Sequence, residues 1–120
     1  MPYSGGLRKK GVYIATFKLR DGAHDNASTL GDGAARYRFN ISLSRHEYET
    51  LFGPRPARPP AGGVVATGHD FSVENQLMPH PVYAWMHWAA IVNPGLDQME
   101  RLTALAQGAI ARAAGKFQAA

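Results

Sequence analysis

The stretch Leu77–Pro94, LMPHPVYAWMHWAAIVNP, most narrows what this chain can become. It holds both tryptophans, two of the four methionines and two of the five histidines. Two X-Pro bonds, Met78-Pro79 and His80-Pro81, open it and Asn93-Pro94 closes it, so an apolar run is given stiff ends. Within it, Tyr83, Trp85, His87, Ala89 and Ile91 alternate with Ala84, Met86, Trp88, Ala90 and Val92. A run apolar on both faces reads as a central strand covered on both sides. A buried helix is the rival reading, but the flanking prolines and the β-branched end favour a strand over Tyr83–Val92.

The other elements are expected to build around that strand. Gly11–Leu19 (GVYIATFKL) has strand composition, with apolar groups on both faces. After a turn at Arg20-Asp21-Gly22 and a loop over Ala23–Ala34, Arg36–Ser42 alternates cleanly. Tyr37, Phe39 and Ile41 point one way, while Arg36, Arg38, Asn40 and Ser42 form a polar face expected to be solvated. A loop rather than a long helix joins these two strands, which predicts antiparallel pairing. Ser44-Arg45-His46-Glu47 is a capping box, and Tyr48, Leu51 and Phe52 before Gly53 give a short helix. Gly53–Gly63 (GPRPARPPAGG) reads as an exposed, polyproline-like loop, with a proline-rich partner ligand as the alternative. Val64–Ala66 is a candidate short edge strand. Asp97 and Glu100 give a second capping signal, and from Leu96 the apolar positions keep helical spacing to Phe117.

The sum is an α+β fold: a small, mainly antiparallel sheet packed against a long C-terminal helix and a short helix. At 120 residues the chain is one domain, expected over residues 11–118 behind a flexible basic segment at residues 1–10. That start lacks an apolar region after its charges, so no signal peptide is read. The absence of cysteine removes disulfides, thiolate metal sites and thiol nucleophiles, and suits a cytoplasmic protein. No apolar run approaches the roughly 20 residues of a membrane helix. Thirteen Lys and Arg against nine Asp and Glu leave a net charge of +4, which favours polyanions without specifying one. Only Arg8-Lys9-Lys10 are consecutive.

Five histidines invite a search for chemistry. The loop pairs His24-Asp25 and His69-Asp70 carry metal-ligand types, but no two histidines stand at i, i+4 and there is no HExxH. Their bland reading is that the rings fix loop backbones. His87, on the face of Tyr83 and Trp85, is expected to be a satisfied core residue; were that face open, the three would line an apolar pocket with one titratable group. His80, between Pro79 and Pro81, is either a turn builder or a preorganised ligand-binding group. Arg38 and Asn40 share one side of their strand, where together they could hold a carboxylate or phosphate. No serine nucleophile motif, phosphate loop or dinucleotide fingerprint is present, and no cofactor is implied.

Several segments resemble a known family. Arg36–Arg45 (RYRFNISLSR), Leu51-Phe52-Gly53, His69-Asp70-Phe71, Leu77–Trp88 (LMPHPVYAWMHW) and Asn93-Pro94 are similar to an uncharacterised bacterial domain of unknown function. His24-Asp25 with Ser28 and Leu30 resembles that family's early segment, and the likeness runs from Gly11 to Phe117. Its most specific part is LMPHPVYxW. The layout is also similar, more loosely, to YjbR-type α+β domains, whose shape has been compared with DNA-binding proteins. The resemblance implies no activity. It does imply a helix before the first strand, where only ten residues precede Gly11 here. One apolar sheet face is therefore expected to lack cover, which would suit a homodimer contact.

Three functions follow as expectations. The first is a non-enzymatic ligand-binding or protein-interaction module, with a site near Arg38, Asn40, His80, Tyr83, Trp85 and His87 that takes a small anion. The second is a metal-dependent enzyme using His24, Asp25, His69, Asp70 and His80. The third is weak nucleic-acid binding through Arg8 to Lys10, Arg36, Arg38 and Arg55.

Overall fold

The structure, a computed structural model, describes residues 6–9, 12–31 and 36–119. Among the described residues, five strands, β1 (Gly6–Lys9), β2 (Val12–Lys18), β3 (Arg38–Ser42), β4 (Met78–Pro79) and β5 (Trp88–Val92), form one sheet in the order β1-β2-β3-β5-β4. Every neighbouring pair is antiparallel, including the expected pairing of β2 with β3. Helix α1 (Arg45–Phe52) follows β3, and the long helix α2 (Met99–Ala119) closes the chain. The α+β architecture read from the sequence is therefore the architecture observed. The stretch expected to be a basic N-terminal segment contains β1, which pairs along β2 with a bulge that skips Ile14.

Register sorts the side chains into two layers. Ala15, Ile41 and Ala89 are cross-strand partners, as are Phe17, Phe39 and Ile91. Ile41, Ala89 and Ile91 are buried in one cluster with Tyr48 of α1 and Leu102 of α2, and Ile14 packs on Ala109 and Ala113. Thus α1 and α2 cover this face. The other face carries Thr16, Asn40 and Ala90, and Lys18, Arg38 and Val92. There Arg38, Asn40, Ala90 and Val92 are all buried, so both faces of β3 and β5 are covered. The polar face expected to be solvated is instead shut beneath the segment containing Asp25 and Ser28, whose polar atoms satisfy it.

The capping box of α1 is present: Ser44 Oγ accepts the Glu47 N–H at 3.0 Å, and Glu47 Oε1 accepts the Ser44 N–H at 2.8 Å. Gly53 ends the helix with φ at +84°, a conformation that favours glycine. The second capping signal behaves differently. Asp97 lies in a 3-10 turn (Leu96–Gln98) ahead of α2, and its carboxylate accepts from Asn75 Nδ2 at 3.0 Å instead of capping the helix.

Two strand assignments are corrected. Val64–Ala66 forms no strand; the buried Val65 donates one isolated bond to the Pro81 carbonyl, 2.9 Å away. More consequentially, the strand expected over Tyr83–Val92 begins only at Trp88. Ala84–Met86 is a single 3-10 turn, and His87 turns the chain into β5 with φ at +66°. The cause is local capture of donors. The Ala84 N–H goes to the His80 carbonyl, Met86 to Tyr83 and His87 to Ala84, so these groups are spent before any ladder can use them.

Candidate functional site

The two histidines of the Leu77–Pro94 stretch stand at the centre of two different environments. His80 is 3% exposed and belongs to a buried polar network on the inner polar face of the sheet. Its hub is Arg38, 1% exposed. Arg38 Nε donates to Asn40 Oδ1 at 2.6 Å, and Nη1 donates to Asp25 Oδ1 at 2.9 Å and Ser28 Oγ at 3.1 Å. Nη2 completes a two-pronged pair with Asp25 through Oδ2 at 2.5 Å, and lies 3.1 Å from His80 Nε2. Asn40 Nδ2 passes the chain on to Thr16 Oγ1 at 3.1 Å. A guanidinium with its fork so fully matched is a fixed structural cation, because its desolvation is offset only while every partner stays in place.

The His80 ring also organises the turn that follows it. Its Nδ1 accepts the backbone N–H groups of Val82 and Tyr83, each at 3.0 Å. Two donors on Nδ1 mean that the neutral ring carries its proton on Nε2. Burial first, and then the positive charges of Arg38 and Lys18, hold the basicity of His80 well below the ordinary histidine value of 6.5. Arg38, Asn40 and His80 are therefore brought together, but into a closed assembly. Tyr83 is exposed, with its ring 5.2 Å from that of His80.

His87 sits in an open cleft of about 320 Å³, lined by Arg45 and Glu49 of α1, Pro54 and Arg55 of the proline-rich loop, and His87 itself. The expectation that His87 is a core residue is corrected: it is half-buried at a cleft, while His80 is enclosed. Its left-handed corner takes the ring out of the sheet and sets it 5.6 Å from the Tyr48 ring. Arg55 Nη1 donates to the Trp85 carbonyl at 3.2 Å, fastening the loop to the turn. Arg58 lies 4.9 Å above the Trp85 ring, a second fastening by cation–π contact. Arg45 Nε reaches Glu49 Oε2 at 3.0 Å along the exposed side of α1. Burial and then Arg55 lower the basicity of His87; Glu49 opposes this and Arg45 adds to it. The cleft thus offers two cationic side chains, one carboxylate and a neutral imidazole.

The metal-type residues serve other ends. Asp25 is committed to Arg38, and His24 is exposed. His69 Nδ1 is 2.9 Å from Thr67 Oγ1. Asp70 accepts from the hydroxyl and the N–H of Ser72 at 2.6 and 3.0 Å, which holds its carboxyl below the usual range, the hydroxyl contributing most. Among the described residues, no group of three or more His, Cys, Asp or Glu is placed to hold a metal ion. The basic residues expected to meet nucleic acid are partly occupied: Arg36 is paired with Glu74 and with the Ser28 and Ser72 carbonyls, and Arg38 is buried. The side chains of Arg8, Lys9 and Lys10 lie outside the described residues. No helix among the described residues is long and apolar enough to cross a membrane.

Sequence reasoning missed Arg45, Glu49 and Pro54 as cleft residues. Their signal was faint: an i, i+4 charge pair on the polar side of a short helix, followed directly by a stiff loop that must fold back past the helix end. Nothing in it pointed to His87.

The model of a family of unknown function, DUF6194, matches residues 3–120, so the chain belongs to that family. No curated protein and no solved structure matches it.

Proposed function

We propose that this DUF6194 chain is a non-enzymatic binding module for a small anion, which it takes in the His87 cleft. The observation that carries the reading is the convergence of Arg45 and Arg55, from separate elements, on one concavity beside a half-buried histidine. A cleft of about 320 Å³ is at the small end of ligand sites, suited to a phosphate or small carboxylate rather than to a large cofactor. Two arginines supply charge-assisted donors for such oxygens. Glu49 keeps Arg45 extended over the cleft while the site is empty and repels an anion from its own side, which confines the ligand to the Arg55 and His87 side. His87 then contributes one N–H donor, or two when the bound anion favours its protonated form.

The test is calorimetric titration with inorganic phosphate and with citrate at low ionic strength, on the intact chain and on Arg55→Ala. Binding to the native chain with at least tenfold loss in Arg55→Ala is expected, the loss following from a charge-assisted bond of about 1.5–3 kcal/mol. Absence of heat with both anions at millimolar concentration would remove the reading.

A further inference from the structure

Both ring nitrogens of His80 face N–H groups. Val82 and Tyr83 point their backbone N–H groups at Nδ1, and the Arg38 guanidinium meets Nε2 at 3.1 Å. The His80 backbone is engaged as well, donating to the Trp88 carbonyl at 3.0 Å and accepting from the Ala84 N–H at 3.2 Å. A protonated imidazole has two donors and no acceptor. The neutral ring already turns its Nε2–H toward the guanidinium; protonation would add an Nδ1–H set against two N–H groups and a positive charge beside a cation.

We propose that His80 is a proton-operated latch: taking up a proton from solvent breaks its bonds to the Val82 and Tyr83 N–H groups and releases the 80–87 turn from the sheet. The charged and titratable groups around the ring leave it no other accommodation. Arg38 from β3 and Lys18 from β2 both oppose a positive charge there. Asp25, from the loop above, has both oxygens taken by Arg38 and stands as that cation's counterion. Tyr83, on the turn itself, presents a neutral ring. β5 contributes only the Trp88 carbonyl, already used by the His80 N–H.

Release of the turn has a consequence at the cleft, and this part rests on the binding reading above. The turn carries the Trp85 carbonyl that anchors Arg55, and it carries His87. Opening it disperses the anion site, so acid would unload the module.

Hydrogen exchange of individual amides, followed by NMR from pH 7.5 to 4.5 and corrected for intrinsic exchange, tests the latch without any ligand. Val82 and Tyr83 are expected to lose up to about tenfold in protection per pH unit below roughly 6.5, the pKa of a released imidazole. Amides of β3 and α2, which open only with the whole fold, stay more protected than these two at every pH. In His80→Asn, whose side-chain oxygen can stand in for Nδ1 but does not titrate, the protection of both amides stays flat. Flat protection in the native chain, an equal slope in His80→Asn, or protection of Val82 and Tyr83 no lower than that of β3 and α2 would each overturn the proposal. Should His80→Asn fail to fold, the His80 ring signals decide: titration near 6.5 with Val82 and Tyr83 still protected also overturns it. Phosphate that fails to bind at neutral pH would end the cleft reading and leave the latch standing.

Discussion

His80 and His87 lie on one short segment, yet one is the keystone of a closed network and the other the wall of an open cleft. The difference is set by what surrounds each backbone. His80 stands between Pro79 and Pro81, both fully buried. Proline brings no N–H, so this segment can be enclosed with few donors left to satisfy, and the ring itself collects those of the next two residues. His87 occupies a left-handed corner, where the chain must leave one element and enter another. A corner cannot be packed from all sides, and its side chain reaches the boundary. Two flanking prolines here mark depth, whereas a place in an apolar run marks surface.

That contrast makes graded predictions. The largest effect belongs to Arg38. Arg38→Met strands the Asp25 carboxylate and frees Asn40 and Ser28 of their partner, and should cost about 3–5 kcal/mol in denaturant unfolding. Arg38→Lys should recover little of it, because one ammonium cannot reproduce the fork. His80→Phe comes next, leaving two backbone N–H groups without an acceptor at about 1–3 kcal/mol for an unsatisfied buried group, a loss read in the same unfolding assay.

Acidification follows. The folded-state basicity of His80 lies well below 6.5, so between that value and its folded pKa the unfolded chain binds a proton that the folded chain refuses. Stability is therefore full above roughly pH 6.5 and falls as pH drops, by up to about 1.4 kcal/mol per pH unit from this one group. His80→Asn should remove that slope. The smallest effect on stability is at the cleft: Arg55→Ala should stay within about 0.5 kcal/mol of the native chain while losing anion affinity. A large destabilisation there would mean that the cleft, too, is structural.

Much of the frame was legible in the residues. The alternation of Phe39 and Ile41 with Arg38 and Asn40 located β3, Ser44 and Glu47 located the start of α1, and helical spacing located α2. Pattern failed where a side chain outcompeted the ladder. Tyr83–Met86 alternates like a strand, but His80 Nδ1 lies closer to the Val82 and Tyr83 N–H groups than any neighbouring strand, and a turn results. Pattern also could not reveal that the polar side of β3 is buried. That depends on Asp25 and Ser28 arriving from a loop with no periodicity of its own. The cleft was the least visible feature, because His87 meets Arg45 and Arg55 only through tertiary folding.

The division of labour between the two rings is tested most directly by following both imidazoles by NMR from pH 8 to 5, with and without inorganic phosphate. Phosphate is expected to move the His87 signals and to raise its pKa. Above roughly pH 6.5 the His80 signals should be indifferent to phosphate, with Nε2 as the protonated nitrogen while the turn is closed, and below it phosphate should delay the acid release of the turn. Phosphate that shifts His80 and leaves His87 untouched would contradict it.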